Sequence, residues 1–250
     1  MKKIFIIMVS LIVSLLLIGC QQENNKIKVL TSSGYEPYEM VDVTGNLIGF
    51  DIELMEEIAK EIGVEIVWQD VDFTGIIASL QAGTADAAIA GISPNLKRQE
   101  MVDFSSVYYN NFAGLTNYII FANSKDYKSL EDLNGLVVGA QIGTVQADFL
   151  NNVKDEYNFE VDLRTTNAQI VEEIKTGRID GLIVESPIAK TILEANDTLD
   201  SVAFESYLDD YQGLAIAFTK GSTWTERFNQ ALTTLEENGF LQSLVDKWIN

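Results

Sequence analysis

The 250-residue sequence carries 17 Lys and Arg against 37 Asp and Glu, contains no histidine and has a single cysteine. Without histidine no Ser-His-Asp or Cys-His nucleophile pair can form, and one cysteine supplies neither an intrachain disulfide nor the ligands of a zinc site. A formal charge of −20 argues against binding a phosphate backbone, while 47% hydrophobic residues and only 3 prolines argue for a packed core over disorder.

In chain order, Met1-Lys2-Lys3 precedes an apolar run from Ile4 to Ile18 and then Gly19-Cys20. A basic start, an apolar stretch of this length and a small residue before a cut mark a secretory signal. The ending Leu17-Ile18-Gly19-Cys20 resembles the bacterial lipobox. That resemblance implies that residues 1–19 are removed and that the Cys20 thiol receives diacylglycerol. An uncleaved anchor helix with an incidental cysteine is the alternative. Cleavage takes away Lys2 and Lys3 and no acid, moving the net charge from −20 to −22. Residues 20–26 then form a polar tether, and the protein is expected outside the cytoplasmic membrane, held there by lipid.

Beyond the tether, strand and helix patterns alternate. Ile27 to Leu30 reads as a strand, and Phe50, Leu54, Ile58 and Ile62 mark one face of a helix that Gly63 stops. Val64 to Trp68 is a strand, Phe73 to Gln81 a helix and Ala85 to Ala90 an apolar strand. The pattern then restarts with a strand at Leu136 to Ala140, a helix at Thr144 to Val153 and a strand at Phe159 to Leu163. A helix capped by Asn167 and a strand at Ile179 to Val184 follow, and Thr223 to Asn250 forms two helices broken at Gly239.

This order predicts parallel sheets with right-handed crossovers. Leu80 to Ile89 and Ile174 to Ile183 echo each other, each a helix end, a glycine, an aspartate and a buried strand. The echo implies two lobes of similar topology, although any α/β protein repeats such a unit. Ligands of open α/β sheets sit beyond the carboxyl ends of strands. That places Gly91-Ile92-Ser93 and Glu185-Ser186-Pro187 at a cleft between lobes.

The stretch from Asp72-Phe73 through Ala90-Gly91-Ile92-Ser93, Arg98 and Val102-Asp103-Phe104-Ser105, with Gly34-Tyr35-Glu36-Pro37-Tyr38 and Gly49-Phe50-Asp51, resembles a known family. These are the family-3 extracellular solute-binding proteins, the amino-acid-binding proteins of ATP-driven importers. The resemblance spans essentially the whole mature chain. It implies an α/β, two-lobed fold of the type II periplasmic-binding-protein kind, each lobe a mostly parallel sheet flanked by helices. It places the lobes at 27–111 with 212–250 and at 112–211, hinged near Asn111-Phe112 and Asp210-Gln212.

An α-amino acid offers a carboxylate, an ammonium and a side chain, and a site must pair all three. Arg98 supplies a planar fork suited to a carboxylate, and Gly91 lets the chain approach closely. Standing alone, Arg98 in Lys97-Arg98-Gln99-Glu100 would read as a surface residue; its offset from Gly91 and Ser93 is what matches the family. The resemblance assigns the ligand carboxylate to Arg98, Ser93, Gly91 and Thr144, the last at a helix N-terminus whose dipole favours anions. It assigns the ammonium to Glu185 and Gly91, with Glu185 standing where most relatives carry Asp, so the arm is longer. A structural salt bridge is the alternative for Glu185. Tyr35 and Phe73 match two aromatics that sandwich the ligand side chain, although a core role is open for Phe73. Ser32 and Gln141 stand at positions that tune which side chain fits, and neither offers a cation to an acidic ligand.

The implied function is the substrate-binding lipoprotein of an ABC importer that captures a polar amino acid, basic ones included (arginine, lysine, histidine or glutamine), by lobe closure. Its expected partners are the free amino acid, the permease's transmembrane subunits and the membrane through its anchor, with no nucleic acid, cofactor or metal, and the chain is expected to act as a monomer. A dehydratase-like enzyme on the same fold, with Glu185 as acid, and a ligand-sensing partner of a receptor are the alternatives.

Overall fold

A computed structural model describes residues 26–110, 116–205 and 213–250. The signal segment, Cys20, the tether through Asn25 and the expected hinge residues Asn111, Phe112 and 210–212 lie outside the described residues.

The chain begins with β1 (Lys26–Thr31), a hairpin of β2 (Met40–Val41) and β3 (Leu47–Ile48), and helix α1 (Phe50–Ile62). As the four-residue spacing predicts, α1 buries Phe50, Leu54 and Ile58 and ends at Gly63, whose φ is 72°. Its N-cap is Gly49 at φ 133°, where a Cβ would lie 2.2 Å from the Tyr38 carbonyl oxygen. Only glycine lets the loop after β1 fold back so tightly on the helix start.

Next come β4 (Glu65–Asp70), a 3-10 turn at Phe73–Gly75, α2 (Ile76–Gln81), β5 (Ala87–Ala88), α3 (Leu96–Met101) and β6 (Asp103–Phe104). Two expectations contract here. The helix over 73–81 starts as a 3-10 turn, and the strand over 85–90 pairs only at Ala87 and Ala88 before the chain turns at Gly91, φ 55°.

The second lobe is built from β7 (Thr116–Ala122), β8 (Val137–Gln141), α4 (Val145–Tyr157), β9 (Glu160–Arg164), α5 (Asn167–Lys175), β10 (Gly181–Glu185), α6 (Ser186–Ala195) and β11 (Leu199–Glu205). Asn167 is not the cap of α5. Thr166 is, because its hydroxyl accepts the Gln169 N–H while the Gln169 side chain returns to the Thr166 N–H. This capping box leaves Asn167 as the first helical residue. The chain returns through β12 (Ala217–Phe218) to α7 (Trp224–Glu237) and α8 (Phe240–Trp248), broken at Gly239 as predicted, and both helices pack on α1.

The strands form two five-stranded sheets, ordered β4-β1-β5-β12-β6 and β11-β7-β10-β8-β9. In the first, β12 runs against both neighbours, and in the second, β7 does, so in each the other four strands share one direction. The reversed strands are those the chain enters just after passing from one lobe to the other. The central strands are apolar on both faces: Leu182 and Val184 face one core and Ile183 the other, as do Val29 and Leu30 in β1. That is the signature of strands covered by helices on both sides.

Where the chain leaves and re-enters the first lobe, Tyr109 and Leu214 pair as an antiparallel bridge, with the Tyr108 N–H donating to Leu214 O at 2.9 Å and the Leu214 N–H to Tyr109 O at 2.8 Å. Tyr108 and Tyr109 also stack into a ring cluster with Tyr35, Tyr38 and Phe50, centroids 5.7–6.3 Å apart. The crossover is thereby tied to the loop that follows β1.

Gly49→Ala should cost at least about 2 kcal/mol in urea unfolding, through both φ strain and the clash with Tyr38. Gly45→Ala, at φ 89° with nothing within 4 Å of the added Cβ, should cost less, and equal losses would contradict the close-approach argument.

Candidate ligand-binding cleft

A narrow cavity opens between the two lobes. From the first lobe Ser32, Tyr35 and Glu39 reach it on the loop after β1, Phe73 on the 3-10 turn, and Ala90, Gly91 and Ser93 past the end of β5. From the second, Gln141 ends β8, Thr144, Val145 and Gln146 open α4, and Glu185 ends β10. The strand-end logic thus succeeds for Gly91, Ser93 and Glu185. It fails for Ile92, which alternation turns into the core, and for Ser186 and Pro187, which start α6 and line a different cavity.

Arg98 stands beside this cavity rather than on its wall. Its Asn95 N-cap accepts the Arg98 N–H, and the side chain is only 7% exposed. Nη1 donates to Ser93 O at 2.8 Å within its own lobe, and Nη2 donates to Gly143 O at 2.9 Å across the cleft. The guanidinium also lies 5.4 Å from the Phe73 ring centroid. Burial pulls its pKa down from the ordinary value, opposed by the facing charge of Asp148 on α4. A guanidinium carries five N–H donors, so Nε–H and one N–H on each Nη are left over.

Thr144 caps α4: its hydroxyl accepts the Ala147 N–H at 3.2 Å and donates to Gln141 O at 2.7 Å. The Ser93 hydroxyl likewise donates to Gly213 O at 3.2 Å. Both hydroxyls expected to serve a ligand are therefore engaged with backbone. What α4 presents to the cavity is its first turn, where N–H groups lack intrahelical acceptors.

Glu185 shows what the longer arm does. Its Oε1 accepts the Tyr35 hydroxyl from the opposite lobe, and its Oε2 accepts Gln146 Nε2 at 2.7 Å. Burial raises its carboxyl above the ordinary range, against the Tyr35 hydrogen bond. Tyr35 in turn packs on Gly91, where an added Cβ would meet the ring at 3.0 Å.

Sequence reasoning passed over Glu39 and Asp51. Glu39 lines the cavity at 1% exposure, and its Oε2 is buried without a hydrogen-bond donor. Asp51, 0% exposed in the first turn of α1, accepts the Gly91 N–H and the Tyr108 hydroxyl, each at 2.8 Å. Burial pushes Asp51 up to about 6 despite those donors, and burial together with Asp51 pushes Glu39 well above the usual carboxylate range. The available signal was the run Tyr35-Glu36-Pro37-Tyr38-Glu39, which puts an acid just past the proline turn. Gln146 was within reach as well, two residues after the capping threonine.

Among the described residues, two hydrogen bonds cross the cleft itself, Arg98 to Gly143 and Tyr35 to Glu185, while Lys190 Nζ donates to Asn250 O at 2.6 Å elsewhere between the lobes. A hydrogen bond to a charged group contributes about 1.5–3 kcal/mol. Tyr35→Phe should accordingly loosen the lobes, giving a larger radius of gyration in small-angle scattering of the ligand-free protein. An unchanged radius would show that this bond does not hold them.

Residues 27–250 match the family described as bacterial extracellular solute-binding proteins, family 3. The chain is 34% identical over 255 residues to the arginine-binding extracellular protein ArtP of Bacillus subtilis, covering 99% of this chain and 98% of that one. It is 30% identical over 262 residues to a probable histidine-binding protein of Campylobacter jejuni, covering 99% of each. Among solved structures, an ancestral arginine-binding protein bound to arginine superposes with a TM-score of 0.82 at 30% identity, covering 90% of this chain and 99% of that chain. Two lobes, a cleft walled by both and a match running from the first strand to the last residue make this chain a member of the bacterial extracellular solute-binding proteins, family 3.

Proposed function

We infer that this chain is the lipid-anchored binding subunit of an ABC-type importer and that its ligand is an L-amino acid with a cationic side chain, arginine foremost. One observation carries the choice of ligand: Glu39, a carboxyl shut away from water, lines the cavity, and its Oε2 is buried with no donor. Such a group must stay neutral or meet a cation. Tyr35 and Phe73 flank the approach with ring faces suited to a guanidinium. The arginine-binding relatives agree with this reading.

In this account Glu185 and the backbone at Gly91 receive the α-ammonium. The spare donors of Arg98, the first turn of α4 at Thr144 and the backbone near Ser93 receive the carboxylate. Ser32 and Gln141 complete the side-chain wall without adding charge. Because these groups come from both lobes, a ligand touching all of them favours the closed form, which a permease can read. Residues 27–111 with 212–250 and residues 112–211 move as the two jaws. Cys20, acylated after removal of residues 1–19, keeps the protein at the membrane outside the cytoplasm.

Calorimetry against the common amino acids should give arginine as the tightest ligand, micromolar or better. Glu39→Gln should weaken arginine at least about tenfold while moving glutamine much less, and Glu185→Gln should weaken both alike. Arginine binding that survives Glu39→Gln would remove the cationic pocket from the account.

A further inference from the structure

The loop after β1 and helix α1 bring two carboxyls together out of water, and only one of them faces the cavity. Asp51 is the better provided: both its oxygens take donors, from Gly91 N–H and Tyr108 hydroxyl. Glu39 lies within hydrogen-bonding reach of Asp51 and has no donor at Oε2. Two carboxylates in contact do not both ionise in a dry site while no cation joins them. The donors identify Asp51 as the ionised member, so the shared proton belongs to Glu39.

The other groups facing Glu39 act in the same direction. Glu185 bears on it from the second lobe and Glu36 from its own loop, while the phenols of Tyr35 and of Tyr108 beyond β6 stand against it as neutral groups.

We propose that Asp51 is a specificity-determining positioning residue that keeps a proton on Glu39, and that a cationic ligand side chain enters the cleft in exchange for that proton. The proposal rests on the cationic-ligand reading above. On binding, the Glu39 O–H bond breaks, the proton leaves to solvent and the resulting carboxylate takes the guanidinium or ammonium. The net charge held in the cleft does not change, and the Glu39 carboxylate is never left without a cation beside it. A neutral side chain leaves the proton in place, and the Glu39 O–H can then donate to its carbonyl.

The sign of the pH dependence follows. Free Glu39 is protonated below its raised pKa, and cation-bound Glu39 is ionised. Affinity for a cationic ligand therefore falls about tenfold per pH unit on the acid side of that pKa and levels off on the alkaline side. Glu185 also loses proton affinity when it meets an α-ammonium, but it does so for every amino acid. The difference between arginine and its neutral isostere citrulline isolates Glu39.

The test is calorimetry of the mature protein with arginine and with citrulline, in pairs of buffers of different protonation enthalpy, across the acid-to-neutral range. Arginine should release about one proton more than citrulline, and in Asp51→Asn the midpoint of the arginine pH profile should move to lower pH. A purely structural role for Asp51 would weaken binding evenly at every pH and leave the midpoint in place. Where citrulline binds too weakly to titrate, the arginine proton count is compared between wild type and Asp51→Asn, and it should drop in the variant. Tight arginine binding with the same proton count as citrulline, or with a count that Asp51→Asn does not change, overturns the exchange and leaves the cationic reading standing. Absence of arginine binding overturns both.

Discussion

Three carboxyls meet at this cleft, Glu39 and Glu185 on its wall and Asp51 behind it, with Glu39 and Asp51 buried and Glu185 partly so, and the rest of the site is arranged around keeping them tolerable. A buried carboxylate without partners costs several kcal/mol, so each must be hydrogen-bonded, protonated or neutralised. Asp51 is hydrogen-bonded, through Gly91 and Tyr108. Glu185 is hydrogen-bonded too, but through Tyr35 of the opposite lobe and Gln146 of its own. Glu39 alone lacks such a set, and it lines the cavity. The three solutions place the anchors, the clasp and the demand for a cation in one continuous network.

The same network links fold to motion. Gly91 turns at φ 55°, where its N–H meets Asp51 and the Tyr35 ring occupies the space a Cβ would need. Tyr35 stacks on Tyr38, which packs on Phe50 and Tyr109 beside the Tyr109–Leu214 bridge at the crossover. The residues that cross the cleft, Tyr35 and Arg98, are therefore braced by the first lobe's own packing. Their acceptors, Glu185 and Gly143 O, sit at a strand end and at the turn before a helix in the second lobe. In the proposed account, closure brings the lobes together and leaves the packing within each lobe as it is. In this account the ligand contributes by adding contacts that both lobes share.

How much of this could be read in the sequence differs from element to element. Helix α1 was fully legible, since its spacing and Gly63 are local signals. The echoed glycine–aspartate–strand units correctly located Gly91, Ser93 and Glu185 at the cleft, because strand ends carry ligands in open sheets. The reversed strands β7 and β12, and the edge strand β11 beside β7, were not read at all. Their pairing partners are brought together only by the crossovers, and the short β12 has no pattern of its own. Asp51 was visible as an acid in the first turn of a helix, where the helix dipole alone explains an exposed aspartate. Its burial depends on Gly91, 40 residues away, and on Tyr108, 57 residues away, which no local pattern can reveal. Thr144 shows the converse: its position was right, yet its hydroxyl caps α4, so the donors facing the cavity belong to the helix's backbone.

The account stands or falls on which way a ligand lies in the cleft, and a high-resolution crystal structure of the arginine complex decides it most directly. The prediction is a guanidinium hydrogen-bonded to Glu39 between the rings of Tyr35 and Phe73, an α-ammonium on Glu185 and a carboxylate at the first turn of α4 within reach of Arg98. An arginine whose side chain points away from Glu39, or whose ammonium leaves Glu185 bonded only to Tyr35 and Gln146, would contradict it.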